Sequence, residues 1–165
     1  MAVRPALITD VDEIVRVHDY AWRSTYRGII PGRELERMVS RRGSKWWRSA
    51  ILRGSGLFVF EFAGVVAGYV SFGRNRTRTP PFTGEVFELY VSPPHQGLGF
   101  GTLLFEAARC KLAAHGHSSV LVWALADNAL ALDFYRARGG DVICEAQESF
   151  GSKSLKRLAF GFCKP

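Results

Sequence analysis

EVFELYVSPPHQGLGFGTLLFEAAR, residues 85–109, reads as three elements in a row. An apolar strand ends at Val91, Pro93-Pro94 make a turn, and Gly97, Gly99 and Gly101 open a long amphipathic helix. Glycines at that spacing turn several backbone N–H groups toward one point with no Cβ in the way. The helix start adds unpaired N–H donors and the positive end of its dipole. The sum is a socket for a phosphate or pyrophosphate. No Lys or Arg lies between Arg78 and Arg109, so the reading leaves the backbone alone to hold the anion.

Of the known phosphate loops, a P-loop fails because no lysine follows Gly101. A dinucleotide fingerprint fails because G-x-G-x-G has the wrong third spacing. Gln96-Gly97-Leu98-Gly99-Phe100-Gly101 matches [QR]-x-x-G-x-[GA] throughout. With Leu89-Tyr90-Val91-Ser92-Pro93 before it and Thr102-Leu103-Leu104 after it, the chain resembles the GNAT superfamily of N-acetyltransferases, whose central motif binds the pyrophosphate of acetyl-coenzyme A.

A second block carries the same resemblance. After a strand at Ser119–Leu125, Asn128, Ala131, Phe134, Tyr135 and Gly139 fall in register with N-x-x-A-x-x-F-Y-x-x-x-G-F. Asn128 is also a good helix N-cap. Gly140 stands where the family has phenylalanine, which weakens the packing expected after that helix.

Bulk properties are those of one globular domain spanning 1–165: 47% hydrophobic and 22% charged residues suffice for a sizeable core. There is no 18-residue apolar run and no secretory leader, which leaves no membrane role and a cytoplasmic home. Cys110, Cys144 and Cys163 are widely spaced and form no metal pattern. The +7 net charge is spread over Arg33, Arg37, Arg41, Arg42 and Lys45 and a loop holding Arg74, Arg76 and Arg78. A solvated basic face accounts for it better than a nucleic-acid partner does.

Around the central block, Val3–Ile8 reads as a first strand. A helix follows from Thr9-Asp10 to Thr25, with Ile14, Val17, His18 and Ala21 on one face. After a break at Gly28–Gly32, a helical region runs from Arg33 to Leu52, interrupted at Gly43. Leu57–Phe62 and Val65–Phe72 form a hairpin about Ala63-Gly64, and Gly73–Pro81 is a basic loop. Strands near Asp141–Gln147 and Leu155–Phe162 close the chain. The expected class is α/β: a GNAT-like mixed, mostly antiparallel sheet flanked by helices, with a strand–glycine loop–helix site.

The resemblance implies roles. Leu89, Tyr90 and Val91 hydrogen-bond the pantetheine arm, and the Val91 N–H points to the thioester carbonyl. Gln96, Gly97, Leu98, Gly99, Phe100, Gly101 and Thr102 hold the pyrophosphate. Asn128, Ala131 and Phe134 line the arm, and Tyr135 is the general acid. Glu85 and Glu88 compete with water for the role of base. Strand alternation puts Glu85 with Leu89 and Val91 on one face, and Glu88 with Tyr90 on the other; a bulge, common in the family, would reverse that parity. Trp22, Tyr26, Ile29 and Ile30 stand where the family builds its acceptor wall, with Trp46 and Trp47 adding aromatic surface. The resulting expectation is acetyl transfer from acetyl-CoA, with no metal, to a primary amine of a small molecule or peptide. A non-catalytic CoA-binding module is the alternative, and a homodimer stays open.

Overall fold

The computed structural model describes residues 2–79 and 81–163; Pro80, inside the expected basic loop, and the three terminal residues 1, 164 and 165 lie outside them. Strands β1 (Ala2–Pro5), β2 (Gly56–Phe62), β3 (Val65–Arg74), β4 (Gly84–Val91), β5 (Val120–Leu125), β6 (Asp141–Phe150) and β7 (Lys153–Phe162) make one sheet in the order β1-β2-β3-β4-β5-β7-β6. Every neighbouring pair is antiparallel except β4 and β5. Helices α1 (Val11–Tyr26), α2 (Gly32–Arg41) and α3 (Ser44–Leu52) cover one face, and α4 (Phe100–Ala114) and α5 (Ala129–Ala137) the other.

The first strand is shorter than Val3–Ile8. The Asp10 carboxylate accepts the Leu7 N–H at 2.7 Å and pairs with Arg4 at 2.7 Å, which bends the chain after Pro5 into a 3-10 turn. The break at Gly43 is real and separates α2 from α3.

Under α4 and α5 lies a core of Phe60, Val86, Leu104, Phe105, Tyr135, Phe160 and Phe162. Gly140 does not weaken it. A Cβ there would lie 2.6 Å from Cζ of Phe162 and 3.0 Å from the Tyr135 carbonyl oxygen. The Phe162 ring arriving from β7 occupies the space beside Gly140, so the volume is filled from another strand.

Two features of β4 set the geometry around it. Ser71 faces Glu88 and Phe72 faces Val86, so Phe87 is an extra residue, a bulge. It brings Glu85 onto the same face as Glu88 and Tyr90, against simple alternation. Farther along, β4 and β5 pair only over Gly84–Val86 and Val120–Val122. Beyond that they part.

Candidate active site

The parting of β4 from β5 leaves a notch whose chemistry follows from the ladder. Ser92 donates its N–H to Ala67 O at 2.8 Å, which makes Ser92–Ala67 a hydrogen-bonded pair and Val91–Gly68 a non-bonded one. Tyr90 therefore turns its amide and carbonyl toward β3. Leu89 and Val91 turn theirs the other way, into the notch. Of the three backbone positions expected to meet a ligand, Tyr90 offers only its side chain.

At the end of β4 the Val91 carbonyl accepts from Gln96 Nε2 at 3.0 Å, so Gln96 ties the glycine bend to the strand. Gly97 and Gly99 have φ of +77° and +82°, in the left-handed region that only glycine enters cheaply. Nothing lies within 4 Å of where a Cβ would project from either. No backbone acceptor takes the N–H groups of Gly97, Leu98, Gly99, Phe100 or Gly101 among the described residues. A concave run of free donors at a helix N-terminus suits an anionic group. Leu98 is exposed, whereas the Phe100 ring is buried and stacks on Phe60 with centroids 4.2 Å apart. Only the Phe100 amide is thus open to a ligand.

Gly101 has another role. It lies inside α4, and a Cβ there would meet the Phe134 ring at 3.2 Å. Its smallness lets α4 and α5 approach. The bend also has a cation, contrary to the sequence reading: Arg138, at the end of α5, donates to Thr102 Oγ1 and to Phe134 O, its guanidinium 3.5 Å from the Phe134 ring centre. Residue spacing could not show it, because α5 folds back onto the first turn of α4.

The notch itself is a hollow of about 140 Å³ lined by Leu89, Tyr90, Val91, Asn128, Ala131, Phe134 and Tyr135. Asn128 caps α5, its Oδ1 accepting from the Ala131 N–H at 3.2 Å. Tyr135 is almost wholly buried among Phe105, Phe160 and Phe162. Burial drives its pKa well above the ordinary tyrosine value, so the hydroxyl stays protonated.

Across Tyr90 lies a second, larger cavity of about 470 Å³, walled by α1, α2 and the β6–β7 hairpin. Trp22 and Tyr26 line it. Ile29 does not: its carbonyl accepts from Lys153 Nζ at 3.0 Å on the outer side of the turn, and Ile30 takes the inward position. Gly28, at φ +83°, sets that twist. Trp47 is core, and Trp46 lies outside under the Arg42 guanidinium, 3.8 Å away.

Both strand glutamates face this larger cavity, and both are already paired. Buried Glu85 accepts from Arg76 through its backbone N–H at 2.9 Å and its Nη2 at 3.0 Å. Glu88 meets Arg42 Nη2 at 2.9 Å and the Tyr69 hydroxyl at 3.1 Å. The sheet and the glycine bend match a known pattern. The model for the "Acetyltransferase (GNAT) family" covers residues 14–139.

The chain belongs to the GNAT family of acetyltransferases. An uncharacterized N-acetyltransferase of Bacillus subtilis, YuaI, is 31% identical over 163 residues, which is 98% of this chain and 92% of the relative. The PaiA N-acetyltransferase of Thermoplasma acidophilum, solved in complex with coenzyme A, superposes with a TM-score of 0.78 at 17% identity, over 99% of this chain and 98% of that one. YncA, a putative acetyltransferase of Salmonella typhimurium solved with acetyl-CoA, gives 0.72 at 22% identity, covering 99% and 93%.

This GNAT chain adds cavity residues that the sequence reading passed over: Trp123, Glu148, Phe150 and Arg157. Strand alternation was the available signal. Glu148 and Phe150, like Leu155 and Arg157, are two apart and so share a face of the hairpin, but which face was undetermined. Among the described residues no helix is long and apolar enough to cross a membrane.

Proposed function

We propose that this GNAT protein transfers the acetyl group of acetyl-CoA to a primary amine of a small molecule or peptide, by direct attack in a ternary complex. The observation that carries the proposal is the notch between β4 and β5: an unpaired Val91 N–H, with a bed of free amides at one end and a cavity beyond Tyr90. Open space at Gly97 and Gly99 and the free N–H groups around them fit the diphosphate of coenzyme A, with Thr102 beside them. The notch fits the pantetheine arm through the backbone of Leu89 and Val91, with Asn128, Ala131 and Phe134 as its wall.

The thioester supplies an acyl group that is already activated, so the protein's work is positioning and proton transfer. The Val91 N–H stabilises negative charge developing on the thioester oxygen. Tyr135 gives its proton to the departing thiolate. Glu85 and Glu88, each engaged by an arginine, fix the cavity wall, and the ammonium proton leaves through water in the open cavity. Because Arg138 donates to Thr102 Oγ1, the threonine keeps its own O–H free to donate to a phosphate oxygen.

Release of free thiol from acetyl-CoA in the presence of an amine panel tests the reading. Amine-dependent thiol release supports it. Thermal protection by coenzyme A with no thiol release under any amine points to the binding module instead.

A further inference from the structure

The larger cavity is lined by Glu85, Glu88, Arg76, Glu148 and Arg157, and their charges are unequally matched. Glu85 is paired with Arg76 and Glu88 with Arg42. Glu148 and Arg157 have neither an ion pair nor a side-chain hydrogen bond among the described residues. The register sets Glu148 opposite Leu155 and Ala146 opposite Arg157, which makes the two charged residues diagonal neighbours on one face of the hairpin. They do not meet, because the Arg157 guanidinium is drawn over Trp123, 4.2 Å from the ring centre. Its Nε is buried with no acceptor. Its terminal nitrogens are not buried and have no protein acceptor among the described residues, so an oxyanion arriving in the cavity gains a charge-assisted hydrogen bond from them. The fork geometry matches the two oxygens of a carboxylate or phosphate.

Glu148 lines the same cavity as Tyr26, whose hydroxyl is bonded to Tyr90 at the edge of the notch. Leu125 lines the cavity too and faces Arg157 across the β5–β7 ladder. Trp123, over which the guanidinium reaches, is two residues, roughly 7 Å, back along β5.

We propose that the acceptor is a small primary amine that also carries an oxyanion, with Arg157 holding the oxyanion over Trp123 and Glu148 drawing the ammonium toward Tyr26 and Tyr90. This rests on the acetyl-transfer reading and narrows it. The fixed pairs Glu85–Arg76 and Glu88–Arg42 leave one positive and one negative group free, which is the complement of a zwitterion. A polycationic acceptor would meet Arg157 uncompensated.

The test compares ω-amino carboxylates of increasing length with their amides, with plain alkylamines and with aminoalkyl phosphates. The expected result is a kcat/KM roughly 10- to 100-fold higher for the acid than for its amide, the range of a charge-assisted hydrogen bond. In Arg157→Gln that preference collapses, and Arg157→Lys restores part of it. The phosphate series separates a carboxylate preference from a phosphate one. Equal turnover of acid and amide, with a ratio unmoved in Arg157→Gln, overturns the inference while leaving acetyl transfer standing. If no amine is acetylated, the acetyl-transfer reading fails, and tryptophan fluorescence of the CoA-loaded protein decides the rest. Quenching by the acid and not the amide, lost in Arg157→Gln, upholds the oxyanion site; identical responses to acid and amide overturn it.

Discussion

The hydroxyl oxygens of Tyr26, at the end of α1, and Tyr90, near the end of β4, lie 2.5 Å apart, a hydrogen bond spanning 64 residues of sequence. Their rings are 6.4 Å apart and nearly perpendicular, with Trp22 against both. Tyr90 lines both hollows and Tyr26 only the larger, so the pair forms the wall between notch and cavity. Burial pushes the Tyr26 pKa up to about 12 and Tyr90 well above the ordinary tyrosine value, so both remain neutral donors. Tyr26→Phe and Tyr90→Phe should each raise the acceptor KM. A double-mutant cycle on stability should give a coupling of about 0.5–1.5 kcal/mol. Additive effects would remove the bond from the account.

Tyr135→Phe keeps the ring among Phe105, Phe160 and Phe162 and deletes only the hydroxyl. Turnover should fall by roughly 10²-fold, the scale of one general acid, with the affinity for acetyl-CoA preserved. Single-turnover thiol release and equilibrium binding, measured on the same sample, separate the two. Wild-type turnover across the pH range would dismiss Tyr135 as the acid.

Gly99→Val should abolish acetyl-CoA binding for two reasons: a side chain in the open bed, and a φ of +82° that costs a β-carbon residue about 1–2 kcal/mol. Gly99→Asn, better suited to left-handed backbone, should recover most of the thermal stability while still crowding the ligand. Isothermal titration alongside thermal melts reads both effects.

Glu85→Gln should act on the fold more than on the chemistry. It removes the charge facing Arg76 in a buried site, at about 1–3 kcal/mol, and the pH profile of turnover should keep its shape. Loss of the acidic limb of that profile would instead make Glu85 the base.

His18 provides a pH signature of folding. It is wholly buried against Trp22 and Trp47, Nδ1 is 3.1 Å from Asp19 Oδ1, and Nε2 has no partner among the described residues. Desolvation lowers its pKa below the usual 6.5, so the folded chain holds it neutral while the unfolded chain takes up a proton. The stabilisation is complete above about pH 6.5 and is lost as pH falls from there through the lowered folded value, by at most about 1.4 kcal/mol per pH unit. Denaturant melts at pH 7 and pH 5.5 should differ accordingly, and His18→Phe should flatten the difference.

Much of the notch was legible because its determinants are local. The left-handed turns at Gly97 and Gly99, the Asn128 cap and the order strand–bend–helix each depend on residues within a few positions of one another. The cavity was less so. Trp22 and Tyr26 followed from their place at the end of α1, but of Ile29 and Ile30 only Ile30 turns inward, through the twist at Gly28. The bulge at Phe87 moved Glu85 to the other face of β4.

Short-range sterics and hydrogen bonding therefore wrote the glycine bend, the caps and the strand and helix order into the chain itself. The charge pattern came from three dimensions alone. Arg76 reaches Glu85, Arg42 reaches Glu88 and Arg138 reaches Thr102 across gaps of 9, 46 and 36 residues. Arg157 lies over Trp123 while Glu148 stays unpaired among the described residues. Those partnerships depend on which strands adjoin and where they part, and Coulomb energy depends on distance in space, not separation along the chain.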